Sequence, residues 1–309
     1  MTAQAISNTA IDWSKCRVLV TGGTGFIGQH LVRAIAGLSP AQLIVVGRTV
    51  PLNDTALPAT FVSLDLTDRE AVLNFGHSNR FTHVFHLAGK IDQSISPHIY
   101  SEMFRLHTLA TLNLLAALNR DDLIRLVCVG SNAEYGNARC PHGEFTHEEP
   151  NSAYGASKLA ATKFVMAKSA SEGFPVTVVR PFLVYGPGQP QQSFLGKALA
   201  AARAGQPFPT TLGEQTRDFV HVSKVVSDLL HIMAAPECSG RTFNSCTGRE
   251  TKLREVLLKI KEFYPEFVPL FGKVAYRQTE LMRSVGEPVI PVDAQQAWLN
   301  LEGFIRKQF

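Results

Sequence analysis

The junction between residues 17 and 37 constrains this chain more than any other feature. A short apolar run, Val18 to Val20, leads directly into Thr21-Gly22-Gly23-Thr24-Gly25-Phe26-Ile27-Gly28, and helical periodicity begins near Phe26. Glycines at this spacing between a strand and a helix have separate uses. Gly22 makes the tight turn, Gly25 lets a pyrophosphate approach the backbone, and Gly28 lets the helix pack closely on the strand. The start of the helix adds unpaired N–H groups and a positive dipole end. Gly22, Gly25, Phe26, Ile27 and Gly28 are therefore the expected phosphate cradle of a dinucleotide.

The alternation continues beyond this junction. Short β-branched runs at Arg17 to Thr21, Leu43 to Val46, Phe61 to Leu64, Val84 to Leu87, Leu126 to Val129 and Val176 to Val179 are separated by helical stretches around residues 26 to 37, 68 to 76, 98 to 119 and 152 to 171. Nearly continuous apolar strands are buried on both faces, so the expected class is α/β, a doubly wound parallel sheet flanked by helices. After Gly186 the regularity weakens into Pro and Gly clusters at Gly186 to Pro190 and Gly205 to Pro209, with helices from about Ser223 and about Lys252. The expected organisation is an amino-terminal extension (1–15), a dinucleotide-binding domain (16–185) and a smaller α/β carboxy-terminal substrate lobe (186–309), some of whose segments return to the first domain.

Composition narrows the function classes. Among 309 residues, 45% are hydrophobic and 18% charged, which excludes intrinsic disorder. The net charge of +4 is too small and scattered for a nucleic-acid groove, and no apolar run reaches the roughly 18 residues of a membrane helix. Five cysteines with no CxxC pair argue against a disulfide framework or structural zinc, and ten histidines without HExxH spacing give no metal site. The amino terminus lacks a signal-peptide pattern, so a reducing, cytoplasmic setting is expected. From Ile99 to Leu118, Met103, Phe104, Leu106, Leu109, Leu112, Leu114, Leu115 and Leu118 spread over more than one helical stripe. Such a helix buries two faces, one on the sheet and the other against a second copy in a homodimer, or else under the carboxy-terminal lobe.

The second strand ends Val45-Val46-Gly47-Arg48-Thr49, where an NAD-binding chain usually places an acid for the ribose hydroxyls. Gly47 makes room for a 2′-phosphate and Arg48, twenty residues beyond Gly28, can donate to it. NADP is expected, with NAD as the alternative; Arg48 would otherwise be a solvated strand-end residue or stack on the adenine. Tyr154 and Lys158 stand four apart in a helical segment and share a face. A phenol beside an ammonium becomes a usable acid or base. Ser131, at the end of the fifth strand, can polarise the same substrate oxygen.

The segments TGGTGFIG (21–28), SLDLTD (63–68), HLAG (86–89), GSNAEYG (130–136), YGASK (154–158), RPFLVYGPGQ (180–189) and RDFVHV (217–222) together resemble the extended short-chain dehydrogenase/reductase family, in its branch of nucleotide-sugar epimerases, dehydratases and reductases. The resemblance implies a Rossmann-type sheet and a Ser131, Tyr154 and Lys158 catalytic triad in which Lys158 also holds the nicotinamide ribose. It implies Asp65 and Leu66 around the adenine, and Leu87 and Ala88 along the cofactor cleft. Ser131 and Asn132 then contact the substrate, Arg217 grips its nucleotide portion, and Arg283, ten residues before Asp293, binds its diphosphate. His107 and Leu183 stand where the family usually has Asn, which leaves the nucleotide base unread.

Dehydratases of this branch carry acids just after the catalytic hydroxyl, whereas Ser131 is followed by Asn132 and Ala133. Double epimerase/reductases carry a Cys where Ala133 stands. The expected reaction is NADPH-dependent reduction of a nucleoside-diphosphate keto-deoxysugar at C4. A nucleotide-sugar 4-epimerase is the alternative, and a non-catalytic NADP-binding regulator is the reading from a different class.

Overall fold

In the computed structural model the described residues are 11–49, 59–92, 94 and 96–308; the first ten residues of the expected extension lie outside them. In chain order the main elements are β1 (Arg17–Thr21), α1 (Phe26–Gly37), β2 (Gln42–Gly47), β3 (Thr60–Ser63), α2 (Arg69–Ser78), β4 (His83–His86), α3 (Ile99–Met103), α4 (Ala110–Ala117), β5 (Arg125–Val129), α5 (Ala153–Glu172) and β6 (Val176–Pro181). There follow β7 (Leu183–Tyr185), α6 (Phe194–Arg203), β8 (Pro207–Pro209), β9 (Thr216–Arg217), β10 (Phe219–His221), α7 (Val222–Ala234), β11 (Thr242–Ser245), β12 (Thr251–Lys252), α8 (Leu253–Phe263), β13 (Val268–Leu270), β14 (Arg283–Ser284) and α9 (Ala294–Arg306). No helix among the described residues is long and apolar enough to cross a membrane.

Seven strands form one sheet in the order β11-β6-β5-β4-β1-β2-β3, and the pairs from β6 through β3 are parallel. This is the Rossmann-type architecture that the alternation implied. Strand order reverses between β1 and β4, and ligands of such sheets bind at the carboxyl ends of the strands beside that switch point. Both junctions are built there: Gly22 follows β1, and Leu87 and Ala88 follow β4. Strand side chains Leu19, Ile44, Val46, Val84, Leu126, Val176 and Val178 pack against Val72 of α2, Leu114 and Leu115 of α4 and Val165 of α5.

The chain divides into two compact units, the first comprising Met1–Gly136, Glu148–Arg180 and Val226–Phe243, the second Asn137–His147, Pro181–Val225 and Asn244–Phe309. The second unit has its own apolar core, with Leu195 and Leu199 of α6, Val256, Leu257 and Ile260 of α8, and Leu301 and Ile305 of α9 closing on Tyr185 and Phe219. Its short strands pair as β10 with β7, β13 with β8, and β12-β9-β14.

The helical stretch expected over residues 98–119 is interrupted, since α3 and α4 are joined by a wide π-helical turn at Phe104–Leu109. Its two-faced pattern resolves into a buried side carrying Met103, Ala110, Leu114 and Leu115 and an exposed one carrying Tyr100 and Phe104.

Gly76 of α2 lies against α4, and a methyl group there would stand 2.2 Å from the Ala117 carbonyl oxygen. Alanine gains about 1 kcal/mol of helix propensity over glycine, but overpacking against backbone costs about 1–3 kcal/mol. Gly76→Ala is expected to lower the urea midpoint, and an unchanged or raised midpoint would show that α2 and α4 can separate without cost.

Candidate active site

The glycine turn is sterically fixed at two positions. Gly22 has φ +70°, and a Cβ there would lie 2.7 Å from the Ala88 nitrogen; a Cβ on Gly28 would lie 2.2 Å from the Gly22 carbonyl oxygen. Close approach of the β1 turn to β4 and of α1 to that turn thus requires bare backbone. Gly25 caps α1 in an extended conformation with no side chain on the free N–H groups of the first turn. A cradle with exposed donors and no Cβ in its floor fits the pyrophosphate of a dinucleotide. Phe26 and Ile27 open the helix, the Leu87 nitrogen donates to Thr21 O at 3.0 Å, and the Ala88 nitrogen to Thr21 Oγ1 at 3.3 Å.

Arg48 is exposed just past β2, with its carbonyl accepting from Ser63 Oγ at 3.2 Å. Asp65 accepts from the Thr67 nitrogen and hydroxyl, both at 2.9 Å. These bonds hold its carboxyl below the ordinary range, with Arg105 and Arg48 adding attraction. Leu66 is buried, and its carbonyl accepts from Asn113 Nδ2 at 2.9 Å.

Ser131, Tyr154 and Lys158 are brought together in the first unit, all nearly buried. Ser131 begins a capping box: its Oγ accepts from the Ala133 nitrogen at 3.1 Å, and its own nitrogen donates to Glu134 Oε1 at 2.8 Å. Asn132 follows it in the short helical turn Asn132–Glu134. A side-chain hydrogen bond joins Ser131 to the Tyr154 phenol, whose pKa burial pushes up to about 12 although that bond pulls the other way. The phenol thus lies above its ordinary range rather than below it, contrary to the expectation that the Lys158 ammonium would favour its ionised form, because burial dominates. Lys158 Nζ donates to Val129 O at 2.9 Å, and burial lowers its pKa against the pull of Glu134.

Several supporting residues escaped the sequence reading. Glu134 is fully buried, and its Oε2 takes Arg180 Nε at 2.8 Å and Nη2 at 2.7 Å; Arg180 also pairs with Glu148 at 2.8 Å and lies over the Tyr135 ring. The S-x-x-E pattern of Ser131 to Glu134 carried this signal in the sequence.

His107 sits in the wide turn and packs edge-on against Tyr154 at 5.3 Å between ring centres. Ser157 Oγ donates to Tyr154 O at 2.8 Å, so His107 Nδ1 must donate to Ser157 Oγ, also at 2.8 Å, while His107 Nε2 accepts from the Lys90 nitrogen at 3.2 Å. By the same logic His86 Nε2 donates to Thr111 Oγ1 at 2.9 Å, because that hydroxyl is given to His107 O at 2.6 Å. Both imidazoles are neutral. Burial and the Lys158 charge push each pKa down to about 3.

The two arginines lie on adjoining strands of the second unit, with Arg283 paired to Thr216 and Ser284 to Arg217. Arg217 donates to Thr216 O at 2.8 Å and Leu281 O at 2.7 Å and pairs with Glu280 at 2.7 Å. Arg283 makes a forked pair with Glu250, Nε and Nη2 at 2.8 to 3.0 Å. Asp293 caps α9 through the Gln296 nitrogen at 2.7 Å.

The histidines generate a prediction about acid stability. Their pKa is about 3 in the folded protein and near 6.5 in an unfolded chain, so the unfolded state binds more protons between those values. Their contribution is fully present above about pH 6.5 and is lost as pH falls toward 3. His107→Gln should flatten the fall in urea midpoint between about pH 7 and about pH 5; an unchanged slope would contradict the neutral assignment.

Comparison with known proteins agrees with this geometry. Residues 18–246 match the NAD dependent epimerase/dehydratase family. A GDP-6-deoxy-D-mannose reductase from Pseudomonas aeruginosa is 31% identical over 257 residues, covering 78% of each chain. A UDP-glucose 4-epimerase from Azospirillum brasilense is 30% identical over 281 residues, covering 82% of this chain and 79% of its own. The solved structure of MoeE5 in complex with UDP-glucuronic acid and NAD is 30% identical, with a TM-score of 0.77 over 93% of both chains. A match from residue 18 to residue 246, on this sheet and with this glycine turn, places the chain in the NAD dependent epimerase/dehydratase family, the extended branch of the short-chain dehydrogenases/reductases, as an oxidoreductase that works with a nicotinamide dinucleotide.

Proposed function

We propose that the protein is an NADPH-dependent reductase of a nucleoside-diphosphate keto-deoxysugar, acting at C4. The observation that carries this reading is the buried Tyr154 phenol hydrogen-bonded to Ser131, two hydroxyls set to act on one substrate oxygen. A ketone that accepts a hydride becomes an alkoxide, which needs one proton donor and one hydrogen bond. Ser131 supplies the hydrogen bond to the carbonyl oxygen and Tyr154 the proton. Lys158, anchored by Val129 O, retains donors for the nicotinamide ribose and keeps positive charge near the developing phenolate. When bound, the dinucleotide supplies the hydride.

Dehydration would need a further acid or base beside Ser131. The carboxylate three residues on, Glu134, gives one oxygen to the Ser131 nitrogen and the other to Arg180, so neither is offered to a ligand. The relative named as a reductase, at 31% identity, supports the same choice.

For the cofactor we favour NADP, held by Gly22, Gly25, Phe26, Ile27 and Gly28 at the pyrophosphate, by Asp65, Leu66, Leu87 and Ala88 along the cleft, and by Arg48 at the 2′-phosphate beside Gly47. We assign Ser131, Asn132, Arg217 and Arg283 to the substrate, the arginines to its diphosphate. We also assign the exposed side chains Tyr100, Phe104 and Phe164 to a homodimer contact, since a second copy would cover apolar surface that the described residues leave open.

A 4-epimerase is the second reading. The 30% identical UDP-glucose 4-epimerase favours it, as does the NAD in the MoeE5 complex.

Following NADPH absorbance against a panel of nucleoside-diphosphate 4-keto-6-deoxysugars separates the two. Stoichiometric NADPH loss with one new hydroxyl by NMR is expected. Interconversion of two hydroxyl epimers without added cofactor would establish the epimerase instead. Tyr154→Phe should slow turnover by on the order of 10²- to 10⁴-fold while sparing NADPH binding. Arg48→Ala should weaken NADP about ten-fold or more and leave NAD unchanged, since it removes a charge-assisted contact; equal effects on both would defeat the NADP assignment.

A further inference from the structure

We propose that Cys140 and His142 form a reactive thiol–imidazole pair, at which a small disulfide is exchanged onto Cys140. Cys140 Sγ lies 3.2 Å from His142 Nε2. Of the five cysteines the other four are buried, and only Cys140 is partly open. His142 is 1% exposed, and three hydrogen bonds fix its backbone. Its nitrogen donates to Val285 O at 2.9 Å, and its carbonyl accepts from Asn244 Nδ2 and the Glu287 nitrogen, both at 2.8 Å. A buried imidazole set against a partly open thiol is an arrangement that makes a cysteine nucleophilic.

Cys140 Sγ donates to Arg283 O at 3.4 Å and Arg283 Nη1 donates to Cys140 O at 3.3 Å, so Arg283 fixes the backbone that presents the thiol to His142. Among the carboxylates of this unit, Glu250 pairs with Arg283, Glu280 pairs with Arg217, and Glu287 lies against Gly143. In the exchange, His142 Nε2 takes the thiol proton and the sulfur attacks one sulfur of the disulfide. The new S–S bond forms as the old one breaks, and the departing thiolate takes the proton from His142. The disulfide is the oxidant. An adduct would stand beside Arg283, and the exchange itself does not rest on the function proposed above.

The native protein is treated with Ellman's aromatic disulfide, and the labelled peptide is mapped by mass spectrometry. The expected result is one reacting thiol per chain, Cys140, about ten-fold faster than free cysteine under the same conditions. Cys140→Ser should be silent, and His142→Gln, folded by circular dichroism, should slow labelling about ten-fold. A wild-type rate no faster than free cysteine, first labelling of a buried cysteine, or an unchanged rate in His142→Gln would overturn the proposal. If His142→Gln does not fold, the wild-type rate and map decide. None of these readouts uses a sugar nucleotide or NADPH.

Discussion

The ion pair between Glu134 and Arg180 is the contact on which the first unit's site depends. Both side chains are withdrawn from water, at 0% and 1% exposure, and desolvating two charges consumes most of what their attraction returns. Its value lies in geometry. Glu134 holds the backbone at Ser131 while Arg180, on β6, ties that loop to the neighbouring strand and to Tyr135. The serine is thus presented by a braced turn; a neutral residue at Arg180 would leave Glu134 buried without its counter-charge, whereas Arg180 keeps Glu148 if Glu134 is replaced.

A second layer holds the tyrosine. Ser157 links the Tyr154 carbonyl to His107, and Thr108 Oγ1 adds a bond to Ser157 O at 2.9 Å. The wide turn between α3 and α4 supplies both His107 and Thr108, so the irregular helix grips α5 one turn beyond the phenol. The His107 ring reaches α5 through Ser157 and packs edge-on against Tyr154.

Much of this was legible in the sequence because period and glycine spacing report local geometry. Strands β1, β2, β5 and β6 carry long apolar runs that stand out from their flanks, whereas β3, Thr-Phe-Val-Ser, is only partly buried. β11 does not stand out: it reads Thr-Phe-Asn-Ser, and its Asn244 and Ser245 are buried by pairing rather than by apolar character. Helices α6 and α9 were passed over among Pro- and Gly-rich flanks. The π-helical turn left no mark in periodicity. Contacts such as Glu134 to Arg180 and Arg217 to Glu280 join residues far apart in the chain, and only the folded topology brings them within reach.

The paired arginines of the second unit carry a consequence for ligand choice. Arg217 and Arg283 already hold an internal anion each, Glu280 and Glu250. Any anionic ligand therefore arrives as a competitor, and its gain is the difference between two similar attractions. A single weak anion has little advantage over the resident carboxylates. A group bearing two linked charges can replace both, paying the loss of freedom once for two exchanges. Under the proposed diphosphate assignment the carboxylates set a threshold that favours multivalent anions over the monovalent ions of the surrounding solution.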